Sequence, residues 1–151
     1  MRQAANRILL LVVTALPCAL IADELPSQID LKASYCLTVV QKQIGMVNED
    51  IPKFRNYPTI YPQLVDGLKK LNENLRRLQL YLVPRMSYLD PIGLLAARKR
   101  AEEDFEQISR DSDRCLKSCP DVQCQLNCDH SESEDASTRI RSCKDLSFLP
   151  F

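Results

Sequence analysis

The chain has no tryptophan, only three glycines, one histidine and no asparagine in an N-x-S/T context. Each shortage closes a door. Glycines occur only at 45, 67 and 93, so no glycine-rich loop can cradle a phosphate. A single histidine, His130, provides no Glu-x-x-His pair for a di-iron centre. It also sits in an acidic stretch, where nothing orients it as a general base with a carboxylate behind it. No excess of positive charge exists either, with 20 basic against 20 acidic residues, so a nucleic-acid partner has no electrostatic footing. The missing glycosylation acceptor removes one sign of a eukaryotic secretory route.

Long hydrophobic runs are lacking too. The longest, ILLLVVTALPCALIA over residues 8–22, is fifteen residues interrupted by Pro17. A bilayer-spanning helix needs about 20. Arg2 and Arg7 precede the run, and Asp23 and Glu24 restore charge abruptly after it. That layout reads as a secretory signal peptide over 1–22, with Ala22 suited to the last removed residue despite the bulk of Leu20. Cys18 raises a lipoprotein alternative, which Pro17 opposes because a small residue is wanted before the acylated cysteine. Removal of 1–22 takes two arginines and leaves a net charge of −2 on a single domain spanning 23–151.

What the chain does have is cysteine. With Cys18 removed, six remain: Cys36, Cys115, Cys119, Cys124, Cys128 and Cys143. An even number in an exported chain reads as three disulfides, because no reducing pool keeps the thiols free. Zinc is the competing use of the four clustered thiols in CLKSCPDVQCQLNC. Their steps are C-x3-C rather than the C-x2-C knuckles typical of zinc sites, and there is no C-x-x-C redox pair. The reading therefore assigns no metal ligand and no cofactor.

Abundant Leu, Lys, Arg, Glu and Gln favour helix over sheet. Residues 30–51 carry Ala33, Cys36, Leu37, Val40, Ile44, Val47 and Ile51 at steps of three and four, an amphipathic helix with Asp30 as its expected cap. Pro52 is expected to close it. The proline-rich stretch up to Pro62 reads as a stiff connector, with a polyproline ligand as the weaker alternative. Over 62–83 a seam of Leu64, Leu68, Leu71, Leu75, Leu78 and Leu82 predicts a second helix. Asp90-Pro91 starts a third, over 90–119, with Leu94, Ala97, Ala101, Phe105, Ile108, Ser112, Cys115 and Cys119 on one stripe. Residues 120–129 can form a short fourth helix carrying Cys124 and Cys128 on one side.

These elements predict an all-α, up-down-up three-helix bundle with a short disulfide-stapled fourth helix at the C-terminal end. The third helix should overshoot its partners, and a returning hairpin would staple the overhang: Cys115 with Cys128 and Cys119 with Cys124. Cys36 lies at the far end of the bundle, which leaves it for Cys143. Six cysteines admit fifteen pairings, and spacing by itself does not choose among them. Residues 129–138 read as a solvated acidic loop that lacks the spacing of a calcium loop. The apolar tail 144–151 reads as docking into the lower end of the bundle, or as an exposed hook.

Glu102, Glu103, Asp104 and Glu106 are the one acidic cluster on a helix. Consecutive helical positions point in different directions, so a glycosidase-like carboxylate pair is a remote reading. The expectation is an exported, non-catalytic helical protein, secreted or periplasmic with the periplasm preferred, whose partner is another exported or envelope protein. A carrier of a small apolar ligand held between the helices is the alternative. The disulfide reading has a direct check. Thiol titration of the mature protein under denaturant should return none before reduction and six after; six reactive thiols at the outset would overturn it.

Overall fold

The computed structural model describes residues 24–121, 124, 128 and 134–151. The expected signal peptide at 1–22 and His130 lie outside the described residues, as does most of 120–129.

Helix α1, Gln28–Lys53, begins at a reciprocal cap. The Ser27 hydroxyl accepts the Asp30 amide at 3.2 Å, and the Asp30 carboxylate accepts the Ser27 amide at 2.9 Å. The cap is thus Ser27 rather than Asp30, which corrects the sequence reading: two orphaned amides are satisfied by one S-x-x-D pair, and the helix gains two residues at its start. It also runs past Pro52 to Lys53. Proline deprives only the carbonyl of Asn48 of a donor, and Asn48 is exposed, so water can take that place. The Phe54 amide closes the helix on Asp50 at 3.1 Å.

Helix α2, Tyr61–Leu82, and helix α3, Pro91–Ser118, follow the expected leucine seam and the Asp-Pro start. The Asp90 carboxylate accepts the Ile92 amide at 3.2 Å. Before α1, Glu24 clamps the connection into α3, donating its amide to Tyr88 and accepting that of Asp90. Gly93 allows a close approach there: a Cβ at this position would lie 3.2 Å from the Pro26 ring and 3.4 Å from Leu31.

The three long helices form the up-down-up bundle, and α1 is its middle member, packed against α2 on one side and α3 on the other. A single stripe would not suffice for such a position. Ser34, Thr38 and Val39 are buried along with the expected Ala33, Cys36, Leu37 and Val40. Ser34 meets its burial by donating to the Leu94 carbonyl at 2.9 Å and accepting from Arg98 at 3.3 Å.

The C-terminal segment covers α1 from a third side. Residues 134–138, expected as part of an acidic loop, belong to helix α4, Glu134–Arg141, which packs on α3. Its charge order explains the difference: Glu134 and Asp135 occupy the first turn and Arg139 and Arg141 the last, as the helix dipole favours. Ala136 and Ile140 are buried beneath it. Cys143 then bonds to Cys36, and the tail continues with Leu146 and Leu149 buried. Asn74 holds the Lys144 carbonyl at 3.2 Å, and the Lys32 ammonium sits 4.3 Å over the Phe148 ring. Phe151 remains 61% exposed beside Tyr81.

At the other end, Cys115 pairs with Cys128 and Cys119 with Cys124. Ser34 lies level with Leu94, and carrying that register up both helices brings Lys53 level with about residue 113. The last turns of α3 therefore project beyond α1, and the two bonds fall on that overhang. Cys124 and Cys128 both have helical backbone.

The sequence separations of the bonds are 107, 13 and 5. Loop-closure entropy ranks their worth in that order, about 5, 3 and 2 kcal/mol. Urea unfolding of the paired serine variants should show Cys36→Ser/Cys143→Ser losing about twice as much stability as Cys119→Ser/Cys124→Ser. Equal losses would mean that the denatured chain is not what these bonds constrain.

Candidate functional site

Three polar or reactive centres lie on this frame. The first is the sulfur cluster at the tip of α3. Cys119 Sγ and Cys128 Sγ, which belong to different disulfides, approach to 3.1 Å. The sulfurs of Cys115, Cys119 and Cys128 lie within 4.8 Å of one another, a spacing that suits a metal. A metal would need thiolates, and each of these sulfurs is spent in a disulfide. The Asp121 carboxylate accepts the Cys124 amide at 2.8 Å and so starts the returning turn.

The second centre is Asp30, buried where α1 begins and α2 ends. Besides the cap, one carboxylate oxygen accepts the Ser27 hydroxyl at 2.6 Å, and the other accepts the Tyr81 hydroxyl at 2.9 Å. The Arg85 guanidinium stands 3.8 Å away and lies over the Tyr81 ring at 4.0 Å. Burial pushes the carboxyl pKa up, but the Ser27 hydroxyl and amide, Tyr81 and Arg85 together outweigh it and hold the group below the usual aspartate range. Burial and the neighbouring Asp30 charge push the Tyr81 hydroxyl up.

The third is a groove of about 560 Å³ between α1 and α3, closed at one end by α4. On α1 it is lined by Gln28, Leu31, Lys32 and Tyr35, and on α3 by Gly93, Ala96, Ala97 and Arg100. Both sets follow the i, i+3, i+4, i+7 spacing of one helix face. Arg139 of α4 completes the wall. Tyr35 donates to Asp104 at 2.8 Å, and Arg139 donates to the other oxygen of the same carboxylate at 3.3 Å. Burial, with Asp104 beside it, pushes the Tyr35 hydroxyl well above its ordinary value, while Arg139 and Arg100 pull the other way.

The acidic cluster of α3 does not converge. Asp104 turns inward to Tyr35 and Arg139, Glu103 pairs with Lys99 at 3.8 Å, and Glu106 pairs with Arg110 at 3.5 Å. Sequence reasoning missed both the Asp30 knot and the groove. S-x-x-D at residues 27–30 was a usable signal for the cap. Arg139 meeting Asp104 across 35 positions had no local signal at all.

No family model matches this chain, and neither a curated protein nor a solved structure does so.

Asp30 gives a pH-dependent prediction. A depressed folded pKa means stabilisation that is complete above the unfolded carboxyl value and lost as pH falls through the folded one. Asp30→Ala strands the Tyr81 hydroxyl and the Ser27 donors and should cost about 3 kcal/mol at pH 7 in urea unfolding. The gap between wild type and Asp30→Asn should shrink as pH drops below the ordinary aspartate range. A constant gap would place the effect in packing rather than charge.

Proposed function

We propose that the chain is an exported, non-catalytic helical module that works by contact with another exported or envelope protein. The observation that carries this reading is the complete use of cysteine: all six in the described residues are bonded, one pair across 107 positions. Such bonds persist where the surroundings are oxidising. The amino-terminal layout, basic residues followed by a short apolar run, is what would carry the chain there. No helix among the described residues is long and apolar enough to cross a membrane.

One stretch of the chain is suited to contact. Leu80, Val83, Met86, Tyr88, Ile92 and Leu95 are all exposed, and all fall where α2 ends and α3 begins. Leu25, 79% exposed, is held beside them because Glu24 bridges to Leu89. Monomeric proteins rarely leave apolar side chains so concentrated unless a partner covers them. The partner is expected to be a protein, since the net charge gives no pull toward nucleic acid.

Fractionation of cells expressing the full chain, with intact mass of the product, tests the export half. The product should appear outside the cytosol, lack residues 1–22, and take up no alkylating label until reduced. A photo-crosslinking residue at Ile92 tests the contact half. It should give an adduct that the same residue at Glu102, an exposed position away from that stretch, does not. A cytosolic product with free thiols would overturn the reading.

A further inference from the structure

We propose that the groove between α1, α3 and α4 binds a small amphiphilic anion, a single aliphatic chain ending in a carboxylate, of the fatty-acid class. This goes beyond the contact role and does not rest on it.

The groove exists because α3 turns its smallest residues toward α1. Ala96 and Ala97 stop short of the gap, Gly93 lets Pro26 and Leu31 close against it at one end, and the Leu31 side chain forms the opposing apolar wall. Packed helices normally fill such a space with interlocking side chains. Here it stays open at about 560 Å³, within the range of 300–1,000 Å³ usual for small-ligand sites.

Charge then selects the ligand. Lys32 from α1, Arg100 from α3 and Arg139 from α4 stand along one trough, although they come from three separate elements. Among the described residues Asp104 is the one carboxylate bonded into this wall, and it is committed to Tyr35 and Arg139. Neither Lys32 nor Arg100 has an ion-pair partner among the described residues. The Phe148 ring positions the Lys32 ammonium without neutralising it. Among the described residues the trough therefore carries an apolar floor and two positive charges without an ion-pair partner, the complement of an aliphatic chain with an anionic head.

A second groove of about 510 Å³, between α1 and α2, serves as contrast. It is lined by Asp50 and Lys70, whose charges are met locally by Lys53 at 2.9 Å and Asp66 at 2.8 Å, and by a single cation without an ion pair among the described residues, Lys144, where the first groove has two. Size alone is therefore not what distinguishes the first.

The test is isothermal titration of dodecanoate into the oxidised protein, purified in the form its own processing leaves when the full chain is expressed. One equivalent should bind. Arg100→Gln should weaken binding about tenfold. Ala96→Phe, at an exposed position that plugs the trough without entering the core, should abolish it. Met46→Ala, in the second groove, should leave it unchanged. Circular dichroism melts show that each variant is folded. Dodecanol and acetate serve as tail-only and head-only probes, and both should bind at least tenfold more weakly. The proposal is overturned by no binding, by equal binding of dodecanol or acetate, or by folded Ala96→Phe protein that retains affinity.

Discussion

The Cys36–Cys143 bond is the constraint from which the rest of the packing follows. Helix α4 has eight residues, too few to hold a helix in water unaided, and the tail after it has no regular secondary structure. Anchored at Cys143, α4 is held on α3 and the tail against α1, and the most completely buried side chains gather around that point: Val39 and Val40 of α1, Leu78 and Leu82 of α2, and Leu146 of the tail. A middle helix flanked by only two others would leave one side in water. The C-terminal segment supplies the missing wall, and the bond sets where that wall sits.

Above this level the packing thins. Leu64, Leu68 and Leu71 of the leucine seam are only half-buried, as are Ile44 and Val47 facing them, whereas Leu78 and Leu82 are almost fully enclosed. Of the tail only Lys144 lines the groove between α1 and α2 at that level, and α3 continues upward with little to lean on. Local openings with low free energy belong to such regions, where few apolar contacts resist them. The two short-range disulfides fall on the overhang of α3, where cross-links replace burial. The molecule thus uses two kinds of cohesion, an apolar core toward the end where α1 begins and a covalent ladder at the opposite tip.

Much of this was legible because helices announce themselves by spacing. The six leucines of α2 and the Asp90-Pro91 start of α3 are local signals, and the helices end within two residues of where those signals place them. Burial on several sides was not legible. A stripe of three-and-four steps names one face of α1, yet Ser34 and Thr38, polar and off the stripe, are buried because α3 and the C-terminal segment cover them. Helix α4 escaped because EDASTRIR is strongly polar, and its two buried apolar residues, Ala136 and Ile140, make no visible stripe in eight positions. The groove was beyond reach for a different reason. It needs matched faces on two helices and a cation from a third, and no window of sequence contains all three.

The core and the groove are also coupled through the same covalent bond. Arg139 stands four residues before Cys143, one helical turn away, so the disulfide that places Cys143 against α1 also fixes where the Arg139 guanidinium meets Asp104. Asp104 in turn holds the Tyr35 hydroxyl on the groove wall. If the bond were broken, α4 would lose its tether, and Asp104 would keep Tyr35 but lose the arginine that balances its charge. The trough would then carry one cation fewer while its carboxylate stood uncompensated, and its affinity for an anionic head would fall even with α1 and α3 undisturbed. The Cys36–Cys143 bond therefore does two things for this chain at once: it closes the core and adds to the positive charge of the groove.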